Sequence, residues 1–215
     1  DVLHGDAALP DDISPLAAGR DVWYNQKKPP CGAGGRDMKA VLYGSHYGHT
    51  QKYAEAIARA LGCEAFPAGK HKEANIEGCD TVVFGGGLYA GGIAGWSKIS
   101  PYCAKAQGQR WVLFTCGLAD PALEKTQRES REIFERRLPE ALRGRLPVFC
   151  LRGGMDYAAL GLKHRAMMAM LAQYLRRKKE RSQQDEQLLE TYGQRIEFYD
   201  AQTIEPVVRA ARGEY

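Results

Sequence analysis

One stretch limits the fold more than any other: residues 38–61, MKAVLYGSHYGHTQKYAEAIARAL. The run Lys39 to Tyr43 reads as a short buried strand, Gly44 to Thr50 as a tight polar loop, and the remainder as an amphipathic helix. The loop carries two glycines and three hydroxyls, on Ser45, Tyr47 and Thr50. Backbone N–H groups curling into a helix start, with hydroxyls beside them, form an anion site favoured by the helix dipole. The spacing excludes two common nucleotide sites. Ser45-x-x-Gly48-x-Thr50 lacks the Gly-Lys-Ser/Thr ending that supplies a lysine to a triphosphate, and it lacks the G-x-G-x-x-G of a dinucleotide fold. What the loop suits is a single phosphate monoester held mainly by uncharged donors. An ordinary strand-to-helix turn is the other reading of these residues alone.

Ser45-His46-Tyr47-Gly48-His49-Thr50 resembles the phosphate loop of the flavodoxin family, usually Ser/Thr-x-Thr-Gly-x-Thr. Tyr47 replaces a threonine and keeps a hydroxyl. The resemblance implies FMN as cofactor, with Ser45, His46, Tyr47, Gly48, His49 and Thr50 around its phosphate.

Further along, Asp80-Thr-Val-Val-Phe-Gly is a β-branched run typical of a buried parallel strand. It leads into GGGLYAGGIAG, residues 85–95, whose six glycines imply close approach of the backbone to something and positive φ angles. Leu88 and Tyr89 stand there as an exposed apolar pair suited to cover a flat ring; a flexible glycine hairpin is the alternative. By the resemblance, Leu88, Tyr89, Ala90, Gly91 and Gly92 flank the flavin. Residues 109–115 form the fourth strand, ending in Thr115-Cys116-Gly117-Leu118, which in the family lines the other side of the ring. Cys116 is read as a small loop residue rather than a reactive thiol. Residues 63–67 and Leu146 to Leu151 supply two more strands, with helices expected at 97–107 and 122–142. The fold class is therefore α/β: a flavodoxin-like doubly wound parallel five-stranded sheet in order 2-1-3-4-5, its ligand at the switch between strands one and three.

A helical insertion follows strand five, over residues 152–193. Met167, Met168, Met170 and Leu171 form a soft face that either covers an apolar ligand or packs on the sheet. Arg176, Arg177, Lys178, Lys179 and Arg181 end it. That cluster reads either as a peripheral membrane contact or as a solvated helix end needing no function. Residues 196–200 are expected as an edge strand before a closing helix. Asp156 and Tyr157 are read as an ordinary turn, and His46, His49 and His164 as polar loop or helix residues. The insertion, with its Gly153-to-Tyr157 turn and methionines, resembles that of menaquinone-dependent protoporphyrinogen oxidases, which are flavodoxin-fold enzymes. This implies an apolar acceptor such as a quinone, where a plain carrier of this fold implies a redox partner protein. No catalytic side chain is demanded, since bound flavin carries the electrons.

Composition narrows the rest. The chain has 215 residues, 44% of them hydrophobic, enough for one sizeable domain, 38–215, preceded by a segment at 1–37 of different character. That segment is read as a leader or extension, or as a strap through Val22, Trp23 and Tyr24. It holds four Lys/Arg against six Asp, so the remainder of a chain of net charge +4 carries 26 positive and 20 negative side chains. The excess suits an anionic partner or membrane face; no nucleic-acid motif accompanies it. Six cysteines without a C-x-x-C pair fit no zinc site or disulfide scaffold and suit a reduced, cytoplasmic setting. A phosphate-binding signalling domain without flavin is the outside reading. A receiver domain needs acidic residues where Gly44-Ser45 and Gly85-Gly86 stand.

Overall fold

The computed structural model describes residues 38–89, 91–106 and 108–214. The segment read as a leader or strap, and Ala90, lie outside the described residues. Five parallel strands make the main sheet: β1 (Lys39–Gly44), β2 (Ala65–Pro67), β3 (Thr81–Tyr89), β5 (Arg110–Gly117) and β6 (Val148–Arg152). They lie in the order β2-β1-β3-β5-β6. This is the expected 2-1-3-4-5 arrangement, renumbered because the short β4 (Gly92–Ile93) folds back antiparallel on the end of β3.

Alternation along each strand sends side chains to opposite faces, so the sheet has a core on both sides. Val41, Val83, Val112 and Phe114 pack on Tyr53 and Ile57 of α1 (His49–Leu61) and Val207 and Val208 of α6 (Glu205–Arg212). Leu42, Val82, Phe84 and Leu113 pack on Trp96 and Ile99 of α2 (Trp96–Lys105) and Phe134 of α3 (Glu124–Glu135). Gly62, at φ 71, closes α1: its N–H and that of Cys63 bond to the Arg59 and Ala58 carbonyls at 3.2 and 2.9 Å.

The glycine run serves the sheet itself. Gly85 to Gly87 are strand residues of β3, not loop, and a Cβ on Gly85 would overlap the ring of Phe114, its neighbour on β5. The close approach implied by the sequence is thus to the chain's own ring. Gly44 ends β1 where a Cβ would overlap the Ala94 carbonyl.

The insertion comprises β7 (Gly154–Asp156), α4 (Leu162–Arg177) and α5 (Gln183–Glu190). The strand expected at 196–200 is β8 (Arg195–Glu197), and it is not an edge of the main sheet. It pairs antiparallel with β7 in a separate two-stranded sheet, because β6 ends at Arg152 and the chain turns out of the sheet at Gly153. The alternative of α4 packed on the sheet also gives way: α4 packs against α5 and over the carboxyl edge.

Candidate functional site

The carboxyl ends of β1, β3 and β5 converge with α4 on one cavity of about 280 Å³. Tyr47, His49 and Thr50 line it from the first loop, Leu88 and Tyr89 from the end of β3, and Cys116, Gly117 and Leu118 from the end of β5. His164, Met167, Met168 and Leu171 of α4 roof it. Ser45, His46, Gly48, Gly91, Gly92 and Thr115 are not in its wall. Thr115 is fully buried in the sheet, its hydroxyl directed to the Phe149 carbonyl at 3.5 Å. The Gly91 carbonyl accepts from Arg137 Nη2 at 2.7 Å.

The first loop leaves the start of α1 uncapped. Gly48 at φ 90 precedes α1 with no side-chain cap, and the Lys52 N–H is the one that reaches back to the Gly48 carbonyl, at 2.9 Å. The N–H groups of His49, Thr50 and Gln51 therefore have no acceptor within the helix. Ser45 Oγ accepts the Gly48 N–H at 3.0 Å, holding the turn. Thr50 is 1% exposed and its hydroxyl bonds the Cys116 thiol, which burial pushes up to about 12. Such a thiol stays protonated at neutral pH, in keeping with a packing role.

Tyr89 departs from expectation. It is half-buried rather than exposed, and its hydroxyl accepts the His46 N–H of the first loop at 3.4 Å. Burial raises its pKa, against the lowering effect of the His46 and Tyr47 N–H groups. Its ring meets His46 edge-on at 4.6 Å and stacks on His164 at 6.0 Å. The Tyr47 hydroxyl bonds His164 Nδ1 at 2.5 Å. First loop, β3 end and roof are thereby joined through His164. Its spacing with Met167, Met168 and Leu171 (i, i+3, i+4, i+7) is the signal that places it on the roof's inner face.

Three further residues had no sequence signal. Glu197 Oε1 lies 3.1 Å from His49 Nδ1 without aligned hydrogen-bond geometry, and its Oε2 accepts from Lys52 Nζ at 3.2 Å. Burial pushes the Glu197 carboxyl up, but the Lys52 hydrogen bond and the His49 and Lys52 charges outweigh it and leave it below the usual value. Arg152 bonds the Leu118 carbonyl at 3.1 Å and Asp120 at 3.2 Å, and its guanidinium lies 3.8 Å from the Phe198 ring centroid. Arg137 is the third, through Gly91. All three contacts join distant elements, so no local pattern announces them.

Fold and site together define an α/β domain with a phosphate-type loop at its topological switch point. The chain belongs to the flavodoxin domain family, whose model matches residues 40–182. No curated protein matches it. Among solved structures it is similar to a WrbA-like flavodoxin from Agrobacterium tumefaciens: 25% identity, 39% of this chain, 62% of that chain, TM-score 0.34. An archaeal flavodoxin matches at 17% identity over 54% of this chain and 83% of that one, TM-score 0.38. A Fusobacterium nucleatum flavodoxin bound to flavin mononucleotide matches at 14% over 55% and 70%, TM-score 0.34. The chain spans less than two thirds of the first of these.

Proposed function

We propose that the chain is an FMN-binding redox protein that oxidises or reduces a small apolar partner under α4. The observation that carries this is the joining of a lysine-free anion cradle and a methionine-roofed cavity at one sheet edge. The donors suit a monoester: the His49, Thr50 and Gln51 N–H groups have no acceptor within α1, the Thr50 hydroxyl joins them by leaving the Cys116 thiol, and their neutrality suits a single phosphate. Binding requires the Tyr89 hydroxyl to leave the His46 N–H. In this reading Tyr89 and residues 117–119 flank the ring, and His49 borders the phosphate with the Glu197 carboxylate 3.1 Å from its Nδ1. Bound flavin supplies the redox chemistry; the side chains bind, orient and exclude water.

The α4 roof favours a small apolar substrate or acceptor, quinone-like in chemistry, over a protein docking directly on the ring edge. The insertion's resemblance to that of menaquinone-dependent protoporphyrinogen oxidases supports the finer assignment this reading entertains. Titrating the full chain with FMN and riboflavin tests the cradle. FMN is expected to bind far more tightly. Thr50→Ala is expected to weaken FMN by about tenfold, the worth of a hydrogen bond to a charged group, and to leave riboflavin unchanged. Equal affinities for the two ligands would contradict the cradle. Reoxidation of the reduced, loaded protein by a soluble quinone analogue, faster than by a small carrier protein, distinguishes enzyme from carrier.

A further inference from the structure

The two faces of α4 differ in kind. Inward it turns the cavity-lining His164, Met167, Met168 and Leu171, with Ala172 and Leu175 buried. Outward it presents Leu162, Met170 and Tyr174, 84%, 63% and 64% exposed. With the exposed Ala166 they fall at four-residue steps, so they form one apolar ridge along the helix. Lys163, Arg165, Arg176 and Arg177 border the ridge, Arg176 with its guanidinium 5.5 Å from the Tyr192 ring centroid, and no carboxylate occurs anywhere from Leu162 to Arg177. Lys178 does not belong with them: its Nζ holds Asp185 at 2.6 Å. Lys179 and Arg181 extend the exposed positive charge past the helix end.

An apolar ridge bordered by cations, with no acid on the helix itself and Glu180 the first beyond its end, complements one surface in particular. At an anionic bilayer the ridge enters the boundary of headgroups and acyl chains while the cations meet lipid phosphates. A protein partner would have to match these cations with an acidic face of its own, whereas an anionic bilayer supplies the negative charge and an apolar interior together. We infer that the outer face of α4 docks on anionic lipid surfaces. Among the described residues no helix is long and apolar enough to cross a membrane, so the contact is peripheral. It goes beyond the redox reading and does not depend on it. Where both hold, the cavity roof lies against the lipid, and an apolar acceptor dissolved there enters without crossing water.

The test is co-sedimentation of the full chain with vesicles of phosphatidylcholine alone or with about 30% phosphatidylglycerol, with and without FMN. Binding is expected on the anionic vesicles only, weakened by salt. Arg176→Gln with Arg177→Gln is expected to reduce partitioning about thirtyfold, at roughly fivefold per cation near the surface. Met170→Asp with Tyr174→Asp, both at exposed positions, should abolish it while leaving circular dichroism and FMN affinity in vesicle-free buffer unchanged. Equal binding to both vesicle types, no binding, or indifference to both double variants overturns the inference. So does a lipid-free dimer that Met170→Asp dissociates in a chain that ignores vesicles, because the ridge then belongs to a second copy. Loss of FMN binding with vesicle binding intact refutes the redox reading alone.

Discussion

Gly154→Ala is expected to separate the insertion from the first loop. A methyl at 154 would overlap the Ile196 carbonyl of β8 and stand 2.8 Å from His49 Cε1 and 2.9 Å from Nε2. Ordinary contact is about 3.5 Å, so clearing the imidazole alone takes roughly 0.7 Å. On the other side the obstacle is backbone, which does not rotate away. The β7–β8 ladder has three residue pairs, continued by the Phe198 N–H to Gly153 carbonyl bond at 3.0 Å. Overpacking costs about 1–3 kcal/mol, and losing one ladder bond adds about 1 kcal/mol. The hairpin is therefore expected to lose about 2–4 kcal/mol of local stability.

Hydrogen exchange over 195–198 reads that loss directly, and urea unfolding followed through the buried Trp96 and Trp111 reads whether it spreads to the main core. Gly161→Ala is the matched control: the same change in the same insertion, at φ −60 and with nothing within 4 Å. As the N-cap of α4, where alanine is the poorer residue, it should cost at most about 1 kcal/mol at that helix start and leave exchange over 195–198 unchanged. If Gly154→Ala matches that control in exchange rate and unfolding midpoint, the clash argument is wrong. His49 and β8 would then not be packed as described.

Tyr89→Phe removes the hydroxyl that competes for the His46 N–H. At 3.4 Å that bond is long, so its loss is worth about 0.5 kcal/mol and FMN should bind about twofold more tightly; a tenfold weakening, measured by fluorescence titration, would show that the hydroxyl helps the ligand instead. Cys116, its thiol pushed up to about 12 and its side chain buried, should resist iodoacetamide at about pH 8 until urea is added, as peptide mass mapping would reveal. Asp185 is held at about 2 by its Lys178 and Ser182 hydrogen bonds, which cap α5. A depressed carboxyl stabilises fully above its unfolded value of about 3.9 and loses that contribution as pH falls through the folded one. Carboxyl NMR should therefore show Asp185 titrating near 2, and α5 should keep its cap through mildly acidic pH. A midpoint near 4 would mean that neither the Lys178 bond nor the capping box is formed.

The sheet was legible because its signals are local. An apolar run at 39–43, a β-branched run at 80–84 and the alternation of strand and helix patterns point to a doubly wound sheet. The phosphate-type loop could be placed for the same reason: strand, glycine turn and helix start are contiguous. The role of Gly85 was not legible, since what a missing Cβ makes room for depends on register with another strand. Its neighbour Phe114 was visible in the sequence, but their pairing was not. Tyr89 was misplaced on the same account: an aromatic after a glycine run reads as exposed until the roof that covers it is known. β8 was recognisable as a strand, yet a three-residue strand carries no mark of its partner. The contacts of Glu197 with His49 and of Arg152 with Asp120 and Phe198 join residues whose neighbours in sequence say nothing of each other.

These long-range contacts make the cradle and the roof one mechanical unit. His164 of α4 is bonded to Tyr47 and stacked on Tyr89, whose hydroxyl rests on the first loop. Gly153 and Gly154 seat the insertion hairpin on His49, and Arg152 holds the Leu118 and Asp120 loop beside Phe198. A phosphate entering the cradle must displace Tyr89, and Tyr89 cannot move without disturbing His164. On the proposed reading, a phosphate at the first loop and an apolar ligand beneath α4 therefore act on the same side chains. Any factor by which one changes the affinity of the other must be returned in equal measure.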